Sequence, residues 1–267
     1  MKPLIDGDVI RYEVGYAAEV GWQHKVDDKE AIPPFSYVEE VLLSRIESIC
    51  QEVKATEEPV IYLSGPTNFR NNIATKKPYK GNRVNKKPWH FDNLTAYLKG
   101  MGAIVTDGIE ADDLIAIDHV SSNGTTIVCS RDKDLRQLPG WFYSWELGKQ
   151  PSFGPVNIDR QGTLSLSADH KKLSGTGLAF FYAQCLIGDI VDNIPGCPNV
   201  GPVRAYEILN KAHDPKRMLD AVLTEYFDAY GPDTAEEELL QQGRLLWLVR
   251  RLNEDGSPVM WEIGMEE

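Results

Sequence analysis

The sequence predicts an α/β fold: a mainly parallel central sheet flanked by helices, followed by an all-helical C-terminal lobe. Two observations carry this expectation. Through about residue 145, short strand-like runs alternate with stretches of helical period, and strands separated by helices pair in parallel. Beyond Gly148 the pattern changes to short alternating segments with Gly and Pro, and then to helical spacing alone. A chain of 267 residues suits one compact unit of two lobes, and 42% hydrophobic with 25% charged residues is an ordinary globular composition.

In order along the chain, Leu4-Ile5 followed by Val9-Ile10 reads as a buried strand broken by Asp6-Gly7-Asp8, with the next firm element after Pro33-Pro34. Ser36 reads as an N-cap and Glu39 completes a capping box. Val38, Leu42, Ile46, Ile49 and Val53 recur at helical spacing, so this helix needs a flat partner, which the strand at 59–63 provides. A helix over about 93–99 ends at Gly100 and Gly102, and a strand at 103–106 follows. Next come a helix at 110–119, a β-branched strand at 125–129, a helical turn at 132–138 and a strand at 141–145. A hairpin runs to about 166, and helices are expected at 178–187, 202–212, 215–230 and 236–252, the last opened by a Thr234/Glu237 capping box. The expected domains are 1–185, which includes a basic segment at about 65–92, and 186–267.

The longest apolar runs fall far short of the roughly 20 residues that a membrane span takes. An Asp at position 6 does not suit a secretory leader. Cys50, Cys129, Cys185 and Cys197 are scattered, without the close spacing of a zinc or redox motif. The expectation is a cytoplasmic monomer with reduced thiols and no membrane partner.

A net charge of -12 argues against general sliding on nucleic acid, which needs Lys and Arg to neutralise phosphates. Locally the balance reverses. Arg70, Lys76, Lys77, Lys80, Arg83, Lys86 and Lys87 lie between Phe69 and Phe91 with no acidic residue among them. The protein therefore combines one basic segment with a strongly acidic body.

The acids fall where strands should end, which is where open α/β sheets bind ligands. Asp6 and Asp8 interrupt the first strand, and Glu110, Asp112 and Asp113 open a helix. Asp132 and Asp134 follow the strand at 125–129, and Asp189 and Asp192 start the helical lobe. Each cluster alone suits helix capping. Together, carboxylates converging on one cleft repel unless cations neutralise them, and all-oxygen ligands suit Mg2+ or Mn2+. Two such ions could activate a water and stabilise the leaving oxygen of an in-line displacement at phosphorus, with the basic segment holding the phosphates.

These residues resemble the 5′ nucleases: flap endonucleases, the 5′ nuclease domain of bacterial DNA polymerase I, and the short 5′–3′ exonucleases of bacteriophages. Five stretches match in order: Asp6-Gly7-Asp8, then Phe69-Arg70 with Tyr79-Lys80 and Arg83, then Glu110-Ala111-Asp112-Asp113, then Ser130-Arg131-Asp132-Lys133-Asp134, then 188–196. The resemblance implies a PIN-like core, a C-terminal helix-hairpin-helix motif, and hydrolysis of DNA bearing a 5′ end, nick or flap. It implies one ion on Asp6, Glu110 and Asp112, and a second on Asp132, Asp134, Asp189 and Asp192, with Asp113 open to either. Lys80 and Arg83 would meet the scissile phosphate and Tyr79 would stack on a terminal base. Arg70, Lys76, Lys77, Lys86 and Lys87 would hold backbone phosphates. The hairpin at 196–205, with Gly196, Asn199, Gly201 and Arg204, would present N–H groups to duplex phosphates and could hold K+. Two positions depart from the family: Leu63-Ser64-Gly65-Pro66 stands where many relatives carry a further Asp, so water or Asp8 would fill that place, and Asn199 and Val203 replace the usual Gly and Lys.

Two other readings compete. A haloacid-dehalogenase-type phosphatase would use Asp6-Gly7-Asp8-Val9 as its nucleophile motif, but leaves the basic segment unexplained. A structure-specific DNA-binding protein whose catalysis has decayed would account for the absent ligand.

Overall fold

The computed structural model describes residues 1–83, 86–212 and 214–265. Residues 84 and 85 of the basic segment, 213, and the last two residues of the expected C-terminal domain lie outside the described residues. In chain order the elements are β1 (Lys2–Asp6), α1 (Gly7–Val26), α2 (Phe35–Glu52), β2 (Val60–Leu63), α3 (Arg70–Ile73), α4 (Phe91–Gly100), β3 (Ile104–Val105), α5 (Ala111–Ser121) and β4 (Thr126–Cys129). A 3-10 turn (Asp134–Gln137) leads to β5 (Gly140–Ser144), β6 (Phe153–Ile158), β7 (Leu164–Leu166), β8 (Leu173–Gly175), α6 (Gly177–Ile187), α7 (Pro202–Leu209), α8 (Pro215–Tyr230) and α9 (Ala235–Leu246).

Contacts divide the chain into two compact units, Met1–Thr67 with Asn85–Asp132 and Trp141–Val156, and Asn68–Val84 with Lys133–Gly140 and Asn157–Glu267. A single break at 185 is therefore not how the chain packs. The reason lies in α6, which is buried on every side from Gly177 to Leu186 and needs cover all round. It finds that cover within the second unit.

In the first unit the sheet order is β3-β2-β1-β4-β5-β6. β1 pairs in parallel with both β2 and β4, placing Ile5 opposite Ile61 and Cys129, and β2–β3 and β4–β5 are parallel too. The chain leaves β1 for β2 on one side and later returns to β4 on the other, so β1 is the switch point of the sheet. Alternation along the strands sends Ile5, Ile61, Leu63, Ile127 and Cys129 into one core with Val14, Leu42, Ile46 and Leu98 from α1, α2 and α4. Tyr62 points to the opposite face, where its hydroxyl meets Asp118 of α5 at 2.6 Å.

α1 is a correction. The break expected at Asp6-Gly7-Asp8 is the start of a 20-residue helix. Its buried positions include Gly7, Glu13 and Gly15 beside Ile10, Val14 and Ala18, so an acid and two glycines interrupt the apolar stripe. Glu13 is satisfied by Arg45 at 2.8 Å and by the Trp145 indole, and a Cβ on Gly15 would lie 2.5 Å from Pro88 Cγ. Neither expected capping box forms at Ser36 or Thr234: α2 starts after Pro34, and the Thr234 hydroxyl donates back to the Tyr230 carbonyl. α9 ends at Leu246, short of 252. Of the expected hairpin, β6 belongs to the main sheet, while β7 and β8 form an antiparallel pair.

The second unit surrounds α6 with α7, α8 and α9, and its core includes Phe181, Tyr182, Tyr226, Trp247 and Trp261. Phe181 meets both tryptophans edge-on, at 4.9 and 5.3 Å between ring centres.

Candidate active site

In the first unit the acids gather at the carboxyl ends of β1, β2 and β4. Asp6 ends β1 and caps α1: one oxygen accepts the Val9 N–H at 3.0 Å, and the other accepts the Ser130 hydroxyl at 2.6 Å. Ser130 Oγ also accepts the Asp132 N–H at 2.9 Å, tying the loop after β4 to the end of β1. Asp6 is 1% exposed. Its carboxyl is pushed up to about 7, by burial first and then by Asp8 and Asp132, while the bonds from Ser130 and Val9 pull the other way.

Asp8 accepts the Ser64 N–H at 3.1 Å and pairs with Arg11 at 2.8 Å. Ser64 Oγ in turn accepts the Ala111 N–H at 2.9 Å, which fixes the first turn of α5 to the end of β2. Ser64 thus serves as an anchor for the helix that bears Glu110 and Asp112, both half-buried. Asp113 is fully buried and accepts the Glu110 N–H at 3.0 Å, a capping contact.

In the second unit the Lys133 ammonium lies against Asp134, at 3.0 Å, and against Asp189. Gln184 of α6 donates to the same Asp134 oxygen at 2.6 Å. Burial alone would lower the Lys133 pKa, but Asp134 and Asp189 outweigh it and raise it. Asp189 Oδ1 also accepts the Val191 N–H at 2.7 Å, closing a turn over the 189–194 loop. Asp192 is paired with Arg83 and accepts the Tyr79 hydroxyl at 3.0 Å. Asn82 donates to the Ile190 carbonyl at 2.7 Å, and Asn193 to the Pro78 carbonyl at 2.9 Å, so residues 78–83 are clasped to this loop.

Three expectations for the basic segment change. Arg70 is 2% exposed and donates to the carbonyls of Leu245, at 3.0 Å, and Trp247, at 2.7 Å. It holds the C-terminus of α9, where a cation suits the helix dipole, and is not placed to meet a phosphate. Tyr79 is buried in the second core with its hydroxyl on Asp192, so its ring is not presented to a base. Lys76 is paired with Glu238. Lys80 adopts φ 54° with its ammonium 4.9 Å from the Tyr79 ring centre, Lys77 is exposed, and Lys86 and Lys87 are exposed on the first unit.

In the hairpin, Gly188 and Gly196 approach so closely that a Cβ on either would strike the other's backbone, and both have φ 72°. Asn199 takes the left-handed conformation, φ 62°, that its side chain tolerates. Gly201 precedes α7, and Arg204 pairs with Glu225 at 2.7 Å. Arg204's charge is thus partly committed within the protein.

Sequence reasoning misses Ser64, Ser130, Gln184 and the ammonium of Lys133 as parts of the site. Only Lys133 carries a signal, as a cation flanked by Asp132 and Asp134. Among the described residues no three His, Cys, Asp or Glu side chains stand close enough to cage an ion as they are placed. The donor chemistry nevertheless fits a hard divalent cation. In the first unit Asp6 is held above its ordinary range by burial and then by neighbouring acids, and in the second an ammonium already bridges Asp134 and Asp189.

No protein-family model matches the chain. In sequence it is similar to the 5′-3′ exonuclease of Buchnera aphidicola subsp. Schizaphis graminum, 29% identical over 171 residues, covering 61% of this chain and 55% of that protein. It is 30% identical over 169 residues to flap endonuclease Xni of Shewanella halifaxensis, covering 61% of each. DNA polymerase I of Bacillus subtilis is 26% identical over 234 residues, 82% of this chain and 24% of that protein. The chain thus spans 61% or less of the length of these relatives. In fold it matches T5 5′-exonuclease with bound zinc ions, at TM-score 0.57 and 17% identity over 92% of this chain and 89% of that one. It also matches a bacteriophage T5 flap endonuclease in a pseudo-enzyme–product complex with DNA and metal ions, at TM-score 0.53 and 16% identity over 92% and 94%. With a sheet that switches at an acid-tipped β1 and with sequence relatives among exonucleases and flap endonucleases, the chain is similar to the 5′ nucleases in both fold and sequence.

Proposed function

We propose that the protein is a divalent-metal-dependent 5′ nuclease that hydrolyses phosphodiesters of DNA bearing a 5′ end, nick or flap. The observation that carries this reading is Asp6: a carboxylate buried at the switch point of a parallel sheet, with Asp8 and Asp132 opposing its ionisation. Such a group ionises at a cost that a neighbouring cation would offset.

In this reading Asp6, Glu110 and Asp112 would hold one ion of Mg2+ or Mn2+, and the resemblance assigns Asp132, Asp134, Asp189 and Asp192 to a second. Asp113 keeps its capping role. When bound, the ions would supply Lewis acidity to the attacking water and the leaving oxygen. Ser130 orients Asp6 and the Asp132 loop, and Ser64 orients α5. Lys80 and Arg83, the latter paired with Asp192 in the protein, would neutralise charge on the scissile phosphate. Lys133 pairs with Asp134 and Asp189, two of the residues that would hold the second ion. Lys77, Lys86 and Lys87 add phosphate contacts. The 196–205 hairpin would hold duplex DNA through backbone N–H groups at the start of α7, and K+ would be its ion. On this reading residues 186–267 serve duplex binding and the protein works as a cytoplasmic monomer. Among the described residues no helix is long and apolar enough to cross a membrane.

The test is a 5′-flapped duplex labelled at the 5′ end in one reaction and at the 3′ end in another, incubated with Mg2+, Mn2+ or EDTA. Short 5′-labelled products in either metal and none in EDTA are expected. Cleavage that starts at the 3′ end, or binding without cleavage in both metals, would overturn the reading. The second outcome would favour the decayed binder.

A further inference from the structure

Trp89 is the most exposed aromatic side chain among the described residues, at 68%. An indole left in water at a fixed position forgoes the burial that such a ring ordinarily gains. The position is fixed from three sides within the first unit. The Trp89 N–H donates to Glu19 of α1, Pro88 packs against Gly15, and the Tyr16 hydroxyl donates to the Lys86 carbonyl. Residues 86–89 are therefore fastened along α1, and the fastening holds the indole outward.

The surroundings point to one kind of occupant. Tyr16 and Val20, one helical turn apart on the α1 face that carries Glu19, are 38% and 53% exposed. Lys86 and Lys87 lie on the same short segment, both exposed, and the Lys87 ammonium sits 4.5 Å from the Phe91 ring centre. Flat rings beside two ammonium groups suit a nucleotide, whose base stacks and whose phosphate pairs. They do not suit an apolar helix, which would need a broader aliphatic patch than Val20 supplies. The positive charge also stands out on a chain of net charge -12.

We propose that Trp89 and Tyr16, flanked by Lys86 and Lys87, form a stacking platform for unpaired bases of a single DNA strand. This deepens the nuclease reading by assigning part of the substrate as unpaired, and rests on that reading for the strand being DNA.

The experiment uses the full chain in EDTA, so that binding is read without cleavage. Oligothymidylate of about 12 nucleotides, within the usual span of single-strand sites, is titrated while tryptophan fluorescence and anisotropy are followed. Quenching is expected, with Trp89→Ala weakening the oligonucleotide about tenfold and Trp89→Phe, which keeps a stacking ring, weakening it by less than about threefold. Affinity for a blunt duplex should not change, and circular dichroism should confirm that both variants fold. Equal affinity of Trp89→Ala and the unsubstituted chain, equal losses for duplex and single strand, or no binding of oligothymidylate would each overturn the platform. Trp89-dependent binding in a protein that never cleaves would sink the nuclease reading alone. Cleavage with Trp89-independent binding would sink only the platform.

Discussion

The Ser130 hydroxyl donates to the buried Asp6 carboxylate at 2.6 Å and accepts the Asp132 N–H at 2.9 Å. One small side chain thus joins two acids from different strands, but it cannot cancel their charge. Asp6 stays pushed up to about 7 from 3.8, which corresponds to a penalty on the order of 4 kcal/mol for the ionised form. Asp6→Asn keeps the shape and the Val9 cap while removing the charge. The metal-free variant is expected to be more stable than the unsubstituted protein at about pH 8, by up to a few kcal/mol in urea titration, and inactive on flapped DNA. A less stable variant would make Asp6 a structural cap and not a metal ligand.

The same group sets a pH dependence. Because its folded value lies above its unfolded one, the folded chain binds more protons between about pH 4 and pH 7. Its contribution to stability is therefore most favourable below that window and falls as pH rises through it, reaching the full penalty above about 7. In EDTA, the thermal midpoint of the unsubstituted protein should drop relative to that of Asp6→Asn between about pH 5 and pH 8. Mn2+ should narrow the gap. A difference that stays constant with pH would remove Asp6 from the account.

The placement of the acids is legible in the sequence because each cluster follows a strand-like run, and in a parallel sheet those run ends share one edge. β2 and β4 are legible as short apolar runs rich in β-branched residues, and α8 because its buried Met218, Leu219, Val222 and Tyr226 keep a helical period. α1 is hidden because Gly7, Glu13 and Gly15 share its buried face, each satisfied by a distant residue that no local spacing encodes. Arg70 and Tyr79 mislead in the opposite way. Within a run of cations they read as surface groups, whereas their partners, Leu245, Trp247 and Asp192, come from far along the chain. Ser64 and Ser130 carry no signal at all, since a serine after a strand is common and only the fold brings Ala111 or Asp6 to it.

Arg70 offers the clearest separation of a structural cation from a DNA contact. Its guanidinium is buried on the last carbonyls of α9, and bonds from a charged donor are worth about 1.5–3 kcal/mol each. Arg70→Ala should lower stability by about 3 kcal/mol or more. Below its melting point the variant should keep the salt dependence of DNA binding. A salt slope reduced by about one, with stability intact, would return Arg70 to the phosphate contacts.

Asp8 separates the nuclease from the phosphatase reading. A dehalogenase-type enzyme would need Asp8 as its acid, but here the side chain holds the Ser64 N–H and Arg11. Asp8→Asn should retain most cleavage of flapped DNA and lose about 1 kcal/mol of stability with the Arg11 pair. Cleavage reduced as far as in Asp132→Ala would place Asp8 among the ligands, in the position left without an acid by Ser64.

Lys133 is the counter-charge of Asp134 and Asp189 when no metal is present. An ammonium there must be displaced before a divalent ion can take both carboxylates, so it competes with the ion even as it neutralises the two acids. Lys133→Met removes the competitor and keeps the aliphatic stem. The variant should unfold about 1–2 kcal/mol more easily in EDTA, a moderate loss because the lysine is 49% exposed. Its Mn2+ affinity, measured by calorimetry, should rise several-fold. Weaker Mn2+ binding would mean that the lysine holds the two acids in register for the metal, and the competition account would fail.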